Sequence, residues 1–213
     1  MIKTIDDLHE LIQEYGFLPL FANEIPGFSV EEHCDPKIWF SDTEEGPWEW
    51  KGPVIQDRKS AYGKFFFNKC GFVSKKWLLD FINYRRDGYD CDARYDDGLS
   101  PLKDLELYNA INDLKPVTTK QLKAKVDYSE STLTRLQMQT YIVIDNFVYN
   151  IDRYGKPYGW GVAVYSTPEK LYGKKFVEKA YQRDPNESKE RIEKHMKKLF
   201  PDITDQQLKK FIK

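Results

Sequence analysis

Two adjacent arginines and a stretch with five aspartates are the residues of this chain closest to chemistry. Tyr84-Arg85-Arg86 sits beside Lys64, Lys69, Lys75 and Lys76 and makes a local basic–aromatic group. Two guanidinium groups at a helix end can clamp a phosphate through bidentate hydrogen bonds. They can equally pair with the helix C-terminal carbonyls or with the acidic stretch that follows. That stretch carries Asp87, Asp90, Asp92, Asp96 and Asp97. No EF-hand Ca²⁺ loop can be laid over it, because the glycines and the terminal glutamate are misplaced. It reads as a solvated acidic loop, and the other reading makes Asp90 or Asp92 a general base. His9, His33 and His195 are scattered and form no nucleophilic grouping with Cys or Ser. Cys34, Cys70 and Cys91 write neither a disulfide framework nor a zinc pattern, so reduced, mostly buried thiols are expected.

These groups need a scaffold, and hydrophobic spacing supplies its outline. Residues 4–15 predict a helix, capped by Thr4 with Asp7 and bearing Ile5, Leu8, Leu11, Ile12 and Tyr15 at helical spacing. Residues 17–53 are irregular and rich in Pro, Gly and acid, with Trp39, Trp48 and Trp50 spaced through them. So long a loop is either packed down by its aromatics or functional. Ala61–Phe67 and Cys70–Val73 read as a hairpin turning at Asn68-Lys69. Ser74 heads a helix to about Arg86, with Trp77, Leu78, Phe81 and Tyr84 on one face.

Ser100-Pro101 marks a candidate boundary. Beyond it come a helix over Leu102–Leu114, a second over Thr119–Lys125 and a third opening at Ser129 or Ser131. A hydrophobic strand, a Tyr154-Gly155-Lys156-Pro157 turn and a return strand ending at Tyr165 complete the unit. This succession, from about Leu102 to Tyr165, spells a winged helix, which usually places its later helix in a DNA groove. Helices near 168–181, 186–199 and 204–212 follow. The expected fold is α+β: an aromatic-rich α+β region over 1–100, a winged-helix domain over 101–168 and a helical tail over 169–213.

The totals set the outer limits. A chain of 213 residues can bury one large core or two small ones. No apolar run approaches the ~18 residues a membrane span requires. Asp6, Asp7, Glu10 and Glu14 stand where a leader would be basic and then apolar, so a cytoplasmic protein is expected. The net charge of −1 conceals a gradient. Residues 1–60 hold 5 Lys/Arg against 13 Asp/Glu, residues 61–168 hold 15 against 13, and residues 169–213 hold 13 against 8. Such a gradient suits one face approaching phosphate. An ordinary Lys-rich terminal helix would produce it too.

One group of motifs goes further. Thr132-Leu133-Thr134-Arg135-Leu136-Gln137-Met138-Gln139 followed by Tyr158-Gly159-Trp160 resembles the AlkZ-related proteins, relatives of the AlkZ-like (YcaQ-type) winged-helix DNA glycosylases. Gly16-Phe17-Leu18-Pro19-Leu20, Ile25-Pro26-Gly27-Phe28-Ser29, Ala61-Tyr62-Gly63-Lys64-Phe65-Phe66 and Tyr84-Arg85-Arg86-Asp87-Gly88-Tyr89 fit the same group, so the resemblance covers most of the chain. It implies a DNA repair protein acting on alkylated or bulky bases of duplex DNA, with no cofactor and no metal. The glycosylases hold the water that attacks C1′ with a Gln-x-Gln or Gln-x-Asp pair, which here falls on Gln137 and Gln139. Expelling an alkylated, already cationic base needs a placed water and polar stabilisation more than a strong base. This chain is shorter than the enzymes, and its pair lies in mid-sequence.

Geometry sets a condition on that pair. Residues two apart on a helix point about 200° apart, whereas on a strand they share a face. The pair therefore works only if the helix ends near Leu136. Otherwise Gln137 packs beside Leu133, Leu136 and Thr140 with its amide serving backbone. Arg85, Arg86, Arg135 and Arg153 are the expected DNA contacts, and Tyr141, Trp160, Trp48 and Trp50 the expected walls for a flipped base. The competing reading is a winged-helix interaction module without chemistry, binding nucleic acid or protein. The acidic first third and the small net charge favour it.

Overall fold

Thr4 and Asp7 close a reciprocal capping box at the head of α1 (Ile5–Tyr15) in the structure, a computed structural model that describes residues 1–41, 43–114 and 116–212. Gly16, at φ 79°, ends the helix as its spacing predicts and turns the chain into β1 (Phe17–Pro19). The expected long irregular segment is less irregular than its composition. It holds β1, α2 (Pro36–Trp39), α3 (Pro47–Trp50) and a 3-10 turn at Glu31–His33, with another starting at Pro53, while Asp42 lies outside the described residues. Proline at the first position starts both short helices, where its missing N–H costs nothing.

The expected hairpin forms, from β2 (Ser60–Phe66) and β3 (Lys69–Ser74), with its turn one residue earlier than Asn68-Lys69. Its two turn residues, Phe67 and Asn68, both take left-handed φ, the mirror-image turn that matches strand twist. Helix α4 (Lys75–Arg86) follows. The acidic stretch then departs from the expected loop and forms α5 (Cys91–Asp96). The Asp90 carboxylate accepts the Ala93 N–H at 2.8 Å, so an aspartate proposed as a general base is spent as a helix cap. Among the described residues no acidic, His or Cys group is placed to hold a metal.

Past Ser100-Pro101 come α6 (Leu102–Asp113), β4 (Val117–Thr118), α7 (Thr119–Lys123), α8 (Glu130–Met138), β5 (Val143–Ile151) and β6 (Pro157–Ser166). The helix expected over Pro168–Tyr181 is broken at Gly173, φ 93°, into α9 (Pro168–Tyr172), α10 (Lys174–Val177) and a 3-10 segment. Helices α11 (Pro185–Leu199) and α12 (Asp205–Ile212) complete the chain.

Among the described residues, six strands form one antiparallel sheet in the order β1-β3-β2-β5-β6-β4. The seam is Tyr62 opposite Ile144, so the sheet crosses the Ser100-Pro101 position. The core is continuous across it too. On one side of the sheet the buried rings of Phe17 and Phe66 sandwich Phe211 of α12, at centroid distances of 5.6 and 5.5 Å and near-parallel planes. Each such ring contributes roughly 1.5–3 kcal/mol through burial alone. Buried Asp80 of α4 ties down α11, accepting from Arg183 at 2.6 Å, Arg191 at 3.0 Å and the Ser188 hydroxyl at 3.1 Å.

The outer halves of β5 and β6 behave differently. Past Ile144 and Val164 they pair only with each other, and Val148, Ile151, Tyr158 and Val162 lie exposed on the ribbon. Among the described residues no helix is long and apolar enough to cross a membrane. Cys34 and Cys91 are buried and Cys70 half-buried, all as free thiols.

Candidate nucleic-acid interface and aromatic corner

Helix α8 runs on to Met138, so Gln137 lies within it and Gln139 is its C-terminal cap. The condition that would aim both amides at one water is not met. Gln137 is fully buried. Its Oε1 accepts the Lys64 backbone N–H at 3.0 Å, and its Nε2 donates to the Leu133 carbonyl at 3.2 Å. A Cβ at Gly63 would press on the Phe65 ring at 3.0 Å and only touch that same oxygen, at 3.4 Å. Gln137 is thus a rivet between α8 and β2. Of the pair expected to hold the water, one amide is taken up by backbone, and Gln139 is left half-buried beside it. The rest of α8 is similarly occupied, because the Lys64 ammonium donates to the Thr134 hydroxyl at 3.1 Å.

Three of the four arginines expected on DNA are also held by the protein. Arg86 is only 1% exposed. It donates to Glu169 at 2.6 Å, to the Tyr181 hydroxyl at 2.8 Å and to the Thr140 carbonyl at 2.8 Å, with its guanidinium carbon 4.6 Å from the Tyr141 ring centroid. Burial works against its charge, but Glu169 and Tyr181 more than offset this and raise its pKa above the ordinary value. The Thr140 carbonyl it grips belongs to a β-branched residue at φ 61°, a conformation that survives only when its surroundings impose it.

Arg135 forms a fork with Asp104, Nε donating to Oδ2 at 2.8 Å and Nη2 meeting Oδ1. Arg85 packs beside the rings of Phe66 and Phe81, 5.8 and 4.9 Å from their centroids, and donates to the Met138 carbonyl at 3.0 Å. Burial lowers its pKa to about 10. Neither Arg86 nor the buried guanidinium of Arg85 can reach a phosphate without dismantling the fold, whereas Arg135, paired with Asp104, keeps its side chain 41% exposed. Arg153 differs: it is exposed on the β5–β6 turn, 4.6 Å over the Tyr154 ring.

The stacking candidates divide in the same way. Tyr141 is sealed, its hydroxyl donating to the Tyr89 carbonyl at 2.9 Å, and Trp50 is buried, so neither can face a base. Trp48 and Trp160, far apart in sequence, meet at 5.6 Å and 80°. Phe40 stacks on Trp48 at 5.1 Å and 21°, and Trp160 stands at 79° to it as well. Trp39 and Phe21 back the group. Trp160 is 71% exposed and Phe40 62%. Together with Ser41, Glu49 and Gly159, these rings line an open cleft of about 790 Å³.

Local backbone explains why the rings meet. From Val148↔Val162 to Asn150↔Tyr158, β5 advances two residues while β6 advances four, which defines a bulge. Gly159, at φ 73°, sits in it and re-aims Trp160. On the other wall, Gly46 lets the chain close beneath Trp39: a Cβ there would collide with the Ile38 carbonyl oxygen. Sequence reasoning missed Phe21, Trp39, Phe40 and Glu49. The available signal was Trp39-Phe40 and Trp48 flanking Gly46-Pro47, a spacing that a tight reversal brings together.

A family model described as AlkZ related matches residues 2–213. The chain belongs to the AlkZ-related family. No curated protein and no solved structure matches it. In this AlkZ-related protein the matched length includes both the sealed Gln137 and the open aromatic corner.

Lys51 braces the corner from behind. Its ammonium lies 4.8 Å from the Trp48 ring and 4.7 Å from Phe147, and donates to the Trp48 carbonyl. Burial lowers its pKa from 10.5 to about 8, against a smaller opposing pull from Glu49. Between those two values the unfolded chain holds more protons than the folded one, so this site's contribution to stability rises with pH across that window. The parent protein should therefore gain stability relative to Lys51→Met as pH climbs from about 8 towards 10, read by denaturant titration at several pH values. A difference that does not vary with pH would show that this amine titrates normally.

Proposed function

We propose that this AlkZ-related protein binds DNA without hydrolysing it through Gln137 and Gln139, and that it holds an extruded alkylated or bulky base at the Phe40/Trp48/Trp160 corner. The observation that carries the reading is the meeting of Trp48 and Trp160 at an open cleft on the β5–β6 ribbon. Aromatic faces hold unstacked bases with little regard to sequence. The order α6, β4, α7, α8, β5, β6 supports a winged helix whose wing is this ribbon. Its later helix, α8, is poorly placed to read a groove, since Gln137, Thr134 and Arg135 already serve the protein. The wing therefore leads the contact, with Arg153 and Lys156 on its turn meeting phosphate.

Fluorescence anisotropy with a duplex carrying one unpaired base tests this. Trp160→Ala is expected to weaken binding about 5- to 100-fold, the usual worth of one stacked base. Arg153→Ala should weaken it uniformly and reduce the salt slope by about 1. Absence of binding at low salt would remove the nucleic-acid reading. The exposed apolar ribbon, Val148, Ile151, Tyr158 and Val162, would then favour a protein-interaction module.

A further inference from the structure

A smaller cleft, of about 350 Å³, lies where the end of β1, the turn of the β2–β3 hairpin and α12 meet. Its apolar lining includes Pro19, Phe21, Phe66 and Phe67, and its charged lining is Glu24, Lys69 and Lys210. Phe66 is fully buried, while Phe21 and Phe67 are half-buried. Phe21 packs on Trp39 and Trp48, and Phe67 meets Phe211 at 6.3 Å. Among the described residues no ring contact joins Phe21 to Phe67, so the cleft keeps these two walls apart. Phe67 holds its place at a cost. Its φ of 53° is left-handed, a region that bulky side chains rarely enter. Such strain gathers at ligand clamps and persists only where the surroundings impose it. Here it sets an aromatic ring on the cleft wall, at a turn position that ordinarily favours Asn or Gly.

The polar groups of the lining are unequal. Asn23 is spent on its own loop, its amide donating to the Phe28 carbonyl at 2.7 Å and accepting the Ile25 N–H at 3.0 Å. Glu24 is paired with Lys210. Lys69 is exposed, with its ammonium 5.8 Å from the Phe21 ring centroid, and meets no carboxylate among the described residues. The cleft therefore combines apolar walls with one unmatched positive charge.

We propose that this cleft binds a small aromatic carboxylate, its ring between Phe21 and Phe67 and its carboxylate on the Lys69 ammonium. The volume is at the small end of ligand sites, which are lined mostly by apolar and aromatic side chains with few polar groups. A ring suits it better than an alkyl chain, because offset or edge-to-face aromatic contacts add to the gain from burial. A sugar would bury hydroxyls against walls that are almost all carbon. The inference needs neither DNA nor the Trp48–Trp160 corner, with which the cleft shares only Phe21 among the described residues.

Titrating the intact protein with 3-phenylpropanoate, followed by calorimetry, is the test, with 3-phenylpropan-1-ol as the neutral counterpart. Saturable binding of the acid is expected, with the alcohol about three- to fivefold weaker, the worth of one partly solvated ion pair. Lys69→Met, at an exposed position, should remove that preference and leave the affinity for the alcohol unchanged. Phe67→Asn should weaken both compounds about fivefold or more, the loss of one aromatic contact with its buried area. Asparagine keeps the turn, because it takes left-handed φ readily. No saturable binding of the acid, equal affinity for acid and alcohol, or an undiminished preference in Lys69→Met overturns the proposal. Unchanged binding by a folded Phe67→Asn variant overturns it too. A DNA titration on the same samples reads the nucleic-acid proposal independently.

Discussion

Arg86→Ala should destabilise the protein by about 3–5 kcal/mol, the usual cost of removing one partner from a buried ion pair. The guanidinium holds three groups from three segments: Glu169 of α9, the Tyr181 hydroxyl and the Thr140 carbonyl. Without it, the Thr140 carbonyl is buried with no donor, and the left-handed turn that links α8 to β5 loses its restraint. Chemical denaturation measures the effect directly. A variant as stable as the parent but weaker on DNA would restore the phosphate-clamp role that the two adjacent arginines first suggested. Arg86→Lys is expected to rescue little, because one ammonium cannot reproduce a planar fork aimed at three acceptors.

Gln137→Ala is the second large effect, about 2–4 kcal/mol, from an unsatisfied Lys64 N–H together with the cavity left between α8 and β2. Gln139→Ala should be close to neutral, because that side chain is half-buried at the helix cap and its amide oxygen meets no partner among the described residues. The contrast matters more than either number. A catalytic pair would lose activity equally at both positions and keep its stability at both. A rivet loses stability at one. Thermal and denaturant unfolding of the two variants therefore separates the roles before any assay on damaged DNA is attempted.

Most of the elements were legible because their signals are local. The Thr4–Asp7 box, the hairpin, and the two strands around the Gly155 turn depend on residues within a few positions of one another. Helix α5 was not legible, because a single capping Asp90 is hidden among four other aspartates that look like loop. The roles of the arginines were hidden for a different reason. Arg86 is neutralised by Glu169 and Arg135 by Asp104, partners that only the finished fold supplies. The family resemblance pointed correctly to the group, but the surroundings of Gln137 were beyond it. It named Gln137 by its neighbours in sequence, while its fate was decided by Lys64 across the sheet. The aromatic corner shows the converse: Trp48 and Trp160 were each visible, and only the bulge at Gly159 makes them one surface.

The Phe17–Phe211–Phe66 sandwich has a consequence for how the molecule is made. The ring that completes the first part of the core is contributed by the last helix, so this contact closes a loop nearly as long as the whole chain. Such closures come late and slowly, because the entropy of the intervening chain is lost before the contact repays it. Until Phe211 arrives, two phenyl faces and the apolar floor of the sheet remain open to water. The N-terminal hairpin is thus no independently finished module, and the time before closure is when the chain is most prone to associate with other copies.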